Sequence, residues 1–465
     1  MHRLFLSQGK KRHQLFTPLD PQKKKLFTPL TLLDPHSTQT LNPRKHTHRM
    51  EGETPPPPEL DGLEGEAEPP PACVSKVLDD ENLLTEIIVR VGCPTSLVRA
   101  AGVCKLWLSH ASDRAFLRRF RELHPPRLLG FYLERREYPD AAARFFPMLP
   151  QPPGLDAVVR RASFSLDAYE GAQTDMAGCW NGSVLTSLHV YNFNHRRSEI
   201  TFVVHSPLCS ERGTSAIPAL HHKSGEGNFC TFIQLFSKEE GAGVSYFYVR
   251  VECDRLQTYS TVHVYLLQNG DDVWRTHLTL ASADVLLYPR SSPKAVLVDN
   301  KIYVPCDPNE IVVLDLTTSI LLRIQLPQGV GFGLAGNTML SRADDSSDVY
   351  LIHVKEFQLH IWLLNGDSWL LVDTICLREM CANFLEDEPT ADIRINHVGD
   401  YNEFVFLEMG RCVLYLDIKC RTLRKVYEMT SEEQHLGDIY PFMMSWPPIF
   451  PAVVDSPARN VSEGD

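Results

Sequence analysis

The sequence predicts an α+β multidomain chain, a small three-helix unit followed by a large all-β domain, and three observations carry that prediction. From Val74 to Leu123 apolar residues recur at spacings of three and four, the mark of amphipathic helices. From about residue 155 to 450 the pattern changes to short runs of Val, Ile, Leu, Tyr and Phe separated by Gly, Asn and Asp turns. No ten-residue helical pattern alternates with those runs, which argues against a parallel α/β sheet.

In the first helix Leu83, Leu84, Ile87, Ile88 and Val91 form the apolar stripe, Asp80 or Asn82 caps the start, and Gly92, Cys93 and Pro94 stop it. A second run places Leu97, Ala100, Ala101, Cys104 and Leu108 on one face, widened by Val103 and Trp107. A third begins near Asp113 and carries Phe116, Leu117, Phe120 and Leu123. Fifty residues cannot bury that much apolar surface internally, so part of it must face a partner or the rest of the chain. The spacing alone leaves open an ordinary three-helix fragment of a larger core.

The identities within that spacing go further. Leu78, Leu83, Leu84, Glu86 and Ile87, then Pro94, Leu97, Val98 and Arg99, then Val103, Cys104, Lys105, Leu106 and Trp107 resemble an F-box, the module by which substrate receptors dock onto the Skp1 adaptor of cullin ubiquitin ligases. The resemblance assigns Leu78, Leu83, Leu84, Ile87, Pro94, Leu97, Val103, Cys104 and Trp107 to adaptor binding or to the F-box core. The family usually has Leu-Pro at the start, whereas here Asp79 follows Leu78. Cys104 stands beside Lys105, which could lower a thiol pKa, but its place on the apolar face predicts a packing residue.

The β region has a weak internal period. NKIYVPCDPNEIVVLDLTTSILLRIQLP, DVYLIHVKEFQLHIWLLNGDSWLLVDTICL and NEFVFLEMGRCVLYLDIKCRTLRKVYEM share a strand, turn, strand, turn, strand design and begin at Asn300, Asp348 and Asn402. A blade is a twisted sheet that cannot bury both faces alone, and radial stacking of such blades makes a core. At that period the region holds about six blades. It resembles the propeller-like F-box-associated regions of plant F-box proteins, especially those of grasses, although WD and kelch signatures are missing; a β-sandwich pair or a large barrel is the competing architecture. The tryptophans Trp180, Trp274, Trp362, Trp369 and Trp446 read as blade packing.

Domain organisation follows as a leader over 1–73, the F-box over 74–123, a connector over 124–154, the propeller-like domain over 155–450 and a tail over 451–465. Polar and proline-rich composition predicts disorder in the leader, which holds near-copies LFTPLD and LFTPLT. Its first 49 residues carry ten Lys or Arg against Asp20 and Asp34, and the stretch Glu51 to Cys73 is acidic. With +8 there and −12 for the whole chain, the remainder carries −20, a charge that repels nucleic acid. The twelve cysteines include no CxxC pair, which suits a reducing compartment. MHRLFLSQG has too short an apolar run for a signal peptide, and no later segment approaches twenty apolar residues, so the expected location is nucleus or cytoplasm.

Catalytic motifs are missing: no HExxH, no zinc spacing of Cys and His, no GxSxG and no GxxxxGK[ST]. The sequence therefore predicts a non-enzyme without cofactor or metal. What the F-box resemblance implies is the substrate-receptor subunit of an SCF-type ligase, with a Skp1-like adaptor, cullin and RING subunits and a protein substrate as partners, and neither nucleic acid nor membrane. The rival is an interaction scaffold that uses the β domain without driving turnover.

Overall fold

The computed structural model describes residue 78 and residues 80–450 except 93, 125–126, 135–141, 167–173, 193–196, 210–213, 224–228, 241–242, 255–258, 283–293, 308, 334–335, 344–347, 386–391, 401–402 and 447–449. The predicted leader and tail lie outside the described residues. Among the described residues four full helices come first: α1 (Glu81–Val89), α2 (Pro94–Ala101), α3 (Lys105–Ser112) and α4 (Arg114–Leu123). They are followed by β1 (Leu128–Leu133), β2 (Arg144–Pro147) and helix α5 (Pro153–Arg161).

The strands then come in fours. Blade 1 is β3 (Thr174–Trp180), β4 (Ser183–Asn192), β5 (Arg197–His205) and β6 (Thr214–Lys223); blade 2 is β7 (Phe229–Glu240), β8 (Gly243–Cys253), β9 (Ser260–Leu267) and β10 (Arg275–Ser282). Blade 3 is β11 (Val296–Val298), β12 (Lys301–Asp307), β13 (Glu310–Asp315) and β14 (Ile320–Gln325). Blade 4 is β15 (Thr338–Arg342), β16 (Val349–Lys355), β17 (Gln358–Asn365) and β18 (Ser368–Cys376). After the short helix α6 (Ala382–Leu385), blade 5 is β19 (Ile393–Val398), β20 (Phe404–Met409), β21 (Cys412–Asp417) and β22 (Thr422–Glu428). The last strand, β23 (Ile439–Met443), returns to β1, giving a sixth sheet in the order β2-β1-β23.

This is a six-bladed β-propeller. Within each blade the pairing is antiparallel, and the two-residue turns sit where the sequence offers residues that tolerate positive φ: Asn181 and Gly182 between β3 and β4, Asp299 and Asn300 between β11 and β12. Middle strands are buried on both faces, as β13 and β20 show, whereas the outer strands β14, β18 and β22 alternate and expose most of their residues. The core is accordingly six apolar seams between neighbouring blades. One seam, for example, packs Phe247, Val249 and Val251 of blade 2 against Ile302, Val312 and Leu314 of blade 3. Another packs Ile352, Leu359 and Ile361 of blade 4 against Ile395, Val405 and Leu407 of blade 5.

Closure joins the two ends of the β region. β23 touches both β19 and β3, so it is the innermost strand of blade 6, with β1 in the middle and β2 outside. The propeller thus begins at Leu128, inside the stretch that the sequence assigns to a connector. Phe145 and Phe146, within that stretch, belong to β2: Phe146 stacks on Phe131 at 5.5 Å and Phe145 on Phe164 at 3.7 Å.

Candidate functional site

The helical module is built from strong local signals. Asp80 Oδ1 accepts from the backbone N–H groups of Asn82 and Leu83, both at 3.0 Å, and so caps α1. Pro94 opens α2, where its missing N–H costs nothing. Asp113 Oδ1 accepts from Phe116 N–H at 2.9 Å and caps α4. The sequence predicts three helices; the second run divides at Gly102, Val103 and Cys104 into α2 and α3, because Gly102 ends α2 with its N–H on the Val98 and Arg99 carbonyls.

Leu84, Ile88, Val89, Leu97, Ala101, Ala111, Phe116 and Phe120 form a closed core at the centre of the module. Two side chains completing it come from the far end of the chain: Trp446 and Phe450 pack against it, with the Trp446 ring stacked on Phe120 at 5.7 Å between centroids. Trp446 therefore belongs to the helical module and not, as the sequence reading has it, to a blade. Its N–H is held by Asn181 Oδ1 in the β3–β4 turn, so the module is fastened to the propeller at this point. Trp446→Ala is expected to cost the module about 2–4 kcal/mol. Hydrogen exchange in α4 should then accelerate while the blades keep their protection, and unchanged α4 exchange would contradict this packing role.

The nine residues singled out by sequence separate into two sets. Leu84 and Leu97 are fully buried, Pro94 is buried, and Trp107 and Leu78 are half-buried. Leu83, Ile87 and Val103 instead expose 46%, 43% and 63% of their surface, and Cys104 is exposed as well. That corrects the packing role predicted for Cys104, which is exposed at the extended N-cap position of α3. Leu106, part of the motif but not of the nine, is exposed too. Leu83 and Ile87 lie one turn apart on α1, whose Thr85 Oγ1 meets His110 Nδ1 of α3 at 3.4 Å. Beside them Glu86 takes Arg119 and, at 2.8 Å, Arg90; the two guanidiniums, Arg119 first, hold its carboxyl below the usual range. Exposed apolar residues thus stand with charged ones on a module whose core is already filled, the composition of protein-docking surfaces.

A second polar constellation, which sequence reasoning missed, sits at the hub of the propeller. Glu134 Oε1 accepts from Met176 N–H at 3.1 Å and from Tyr440 O–H at 3.3 Å. Asn396 clamps β23 from blade 5: its side chain donates to the Gly437 carbonyl at 3.1 Å and accepts from Ile439 N–H at 2.9 Å. The Lys294 ammonium lies 4.0 Å from the centre of the Tyr440 ring. Burial pushes the Lys294 pKa down and the Glu134 pKa up, and burial holds His397 well below the usual histidine range. No spacing rule could have found these residues, which come from four blades and more than three hundred positions of sequence.

Among the described residues no group of three His, Cys, Asp or Glu side chains is disposed to hold a metal ion, and no helix is long and apolar enough to cross a membrane. Burial raises the pKa of the Cys179 thiol, which suits packing rather than nucleophilic chemistry.

No curated protein matches the chain. Similar solved structures include a putative 6-phosphogluconolactonase from Bacteroides uniformis, 8% identical, covering 55% of this chain and 82% of that one with a TM-score of 0.27. The β-propeller domain of the Trilobed protease from Pyrococcus furiosus is 9% identical, with coverage of 56% and 85% and a TM-score of 0.26. The dihydro-heme d1 dehydrogenase NirN is 10% identical, with coverage of 77% and 93% and a TM-score of 0.31. The family described as "F-box protein AT5G49610-like, beta-propeller" matches residues 175–450, from the second residue of β3 to Phe450. That stretch is more than half of the chain and contains five of the six blades, so the protein belongs to the F-box protein AT5G49610-like β-propeller family.

Proposed function

We propose that this chain is the substrate-receptor subunit of an SCF-type cullin ubiquitin ligase, in which residues 74–123 are an F-box that docks onto a Skp1-like adaptor and the propeller holds a protein substrate. The observation that carries the reading is the exposed apolar set Leu83, Ile87, Val103 and Leu106 on a module whose own core is closed. Exposed apolar side chains of this kind, at positions of the F-box motif, are what a partner would cover. The family supports the same reading, since its description names an F-box protein. In this role the chain makes and breaks no bonds. Fixing a substrate lysine near a ubiquitin-charged enzyme carried by the cullin and RING subunits raises its effective concentration, and that is the contribution of the receptor.

The test is co-purification of the full chain with a Skp1-like adaptor. Leu83→Asp should weaken binding by about 30- to 1,000-fold, the range of an interface hot spot, with the melting temperature unchanged, because Leu83 is exposed. Leu97→Ala should weaken it indirectly, by removing about 2–5 kcal/mol from a fully buried position and lowering the thermal stability of the module. Wild-type affinity in Leu83→Asp would place the docking face elsewhere, and an adaptor complex that never admits cullin would remove the ligase role.

A further inference from the structure

We propose that Lys294 is the keystone of a latch that ties closure of the propeller to the integrity of the helical module, with the segment from Gly437 to Trp446 as the moving part. The coupling does not depend on which partner the helical module takes.

The geometry of the ring supplies the first step. Lys294 lies just before β11, the innermost strand of blade 3, and Tyr440 belongs to β23, the innermost strand of blade 6. In a ring of six, blades 3 and 6 are opposite one another. The 4.0 Å contact between the Lys294 ammonium and the Tyr440 ring therefore crosses the axis of the propeller. Among the described residues the ammonium has no hydrogen bond and no ion pair closer than that ring contact. Neighbouring Ala295 is fixed from blade 2, where the Gln234 side chain both donates to its carbonyl at 2.8 Å and accepts from its N–H at 2.9 Å. The base of the lysine is thus anchored to two blades while its charge serves a third.

The second step is electrostatic. Glu134 follows β1 and Asp438 precedes β23, and the two backbones are joined where Glu134 N–H donates to the Asp438 carbonyl at 3.1 Å. Asp438 acts on Glu134 as a like charge, and both act on Lys294 as opposite charges. Lys294 sets its ammonium over the ring of Tyr440, whose hydroxyl donates to Glu134, at the point where the ring closes. Removing the ammonium takes away both that contact and an attraction on the two carboxylates, and the loss falls on the β1–β23 pairing itself.

The third step is transmission. Beyond β23, Met444 N–H donates to the Arg127 carbonyl at 2.9 Å, Trp446 N–H is held by Asn181, and the Trp446 ring stacks on Phe120. Phe120 in turn contacts the ring of His124 at 4.7 Å, and His124 Nε2 lies 2.9 Å from the Val89 carbonyl at the end of α1. A strand that leaves its place beside β1 cannot keep Trp446 in the helical core, because only two residues separate them.

Hydrogen exchange on the full chain tests the latch. In Lys294→Met, exchange over 437–446 should rise at least tenfold, exchange in α4 should rise with it, and blades 3 and 4 should stay protected. Lys294→Arg should restore most of the protection. Faster exchange in β23 with α4 unaffected would overturn the coupling, and no change in either would overturn the keystone role. If Lys294→Met fails to fold, the variant that also carries Glu134→Gln and Asp438→Asn should fold, since nothing is left to compensate. Failure of that triple variant would equally overturn the proposal.

Discussion

Replacing Gly437 with alanine is expected to open the ring. A Cβ at this position would lie 1.9 Å from the carbonyl oxygen of Glu134 and 2.6 Å from its carbonyl carbon. Both atoms are backbone of the segment that follows β1, so no rotamer change relieves the overlap. Either β1 and β23 move apart by more than 1 Å, or the substituted segment leaves its place. In both cases the Glu134 N–H bond to Asp438 and the Asn396 clamp on Gly437 and Ile439 are lost together. A clash with main chain at a closure point belongs among the most damaging single substitutions, about 4 kcal/mol or more, and should lower the melting temperature by roughly 8 °C or more. Gly366→Ala is the contrasting control. Gly366 has a φ of 62° but open space around it, so alanine there carries only the conformational penalty of about 1 kcal/mol. Comparable melting temperatures for the two variants would show that β23 does not close the ring.

The strands most legible in the sequence are those that neighbouring blades bury, with the outer strands β14, β18 and β22 read from their place in the repeat. β12, β13, β16, β20 and β21 read as continuous or alternating apolar runs because the seams cover them. Of the inner strands, β7 and β11 are legible as apolar runs, whereas β3, β15, β19 and β23 escaped notice for the opposite reason. β15 carries Thr338, Ser341 and Arg342, and β19 carries Arg394, Asn396 and His397, whose polar groups serve the hub and the loops above it. β3 and β19 also hold register shifts, at Met176/Gly178 and Ile395/His397, which break the two-residue period that reading relies on. β23 contains Pro441, and a proline argues against a central strand. Here it is admissible because the innermost strand of a blade pairs on one side only, so one edge needs no N–H.

On α1, motif and period together mark the apolar residues but not their directions. Leu83 and Leu84 differ by one position and therefore by about 100° around the helix. Leu84 and Ile88 point into the core, and Leu83 and Ile87 point out of it. The apolar stripe on α1 is wide enough to serve both purposes, which periodicity reports as a single face. The hub lay beyond any such reading, because Glu134, Lys294 and Asp438 meet only once the ring is closed.

The folded chain is expected to lose stability steeply as pH falls below neutrality, through histidines buried in the neutral form. His205 is 7% exposed and hydrogen-bonded to Thr186 Oγ1 at 3.0 Å; His353 is 8% exposed, with Thr338 Oγ1 at 2.9 Å from its Nδ1. Because the Thr338 hydroxyl donates to the Gly331 carbonyl at 2.7 Å, His353 Nδ1 carries the proton and its Nε2 is left bare and buried. His397 lies deep in the hub near Lys294. Burial lowers the pKa of all three in the folded state, with the nearby His360 adding to the effect at His353 and Lys294 at His397. The unfolded chain therefore binds more protons than the folded one at every pH between the folded values and about 6.5. Stability is fully present above that upper limit and declines as pH falls through the window, by up to about 1.4 kcal/mol per pH unit for each histidine. Glu134 opposes this, since its raised folded value favours the folded state as it takes up a proton, but it is one group against four, because burial lowers His263 as well. Urea unfolding midpoints at pH 7.5 and 5.5 measure the balance. The midpoint should fall clearly at the lower pH, before ordinary carboxylates titrate, and His353→Gln should reduce the fall. Equal midpoints would mean that these imidazoles accept protons within the folded chain, which their burial among apolar seams and beside Lys294 opposes.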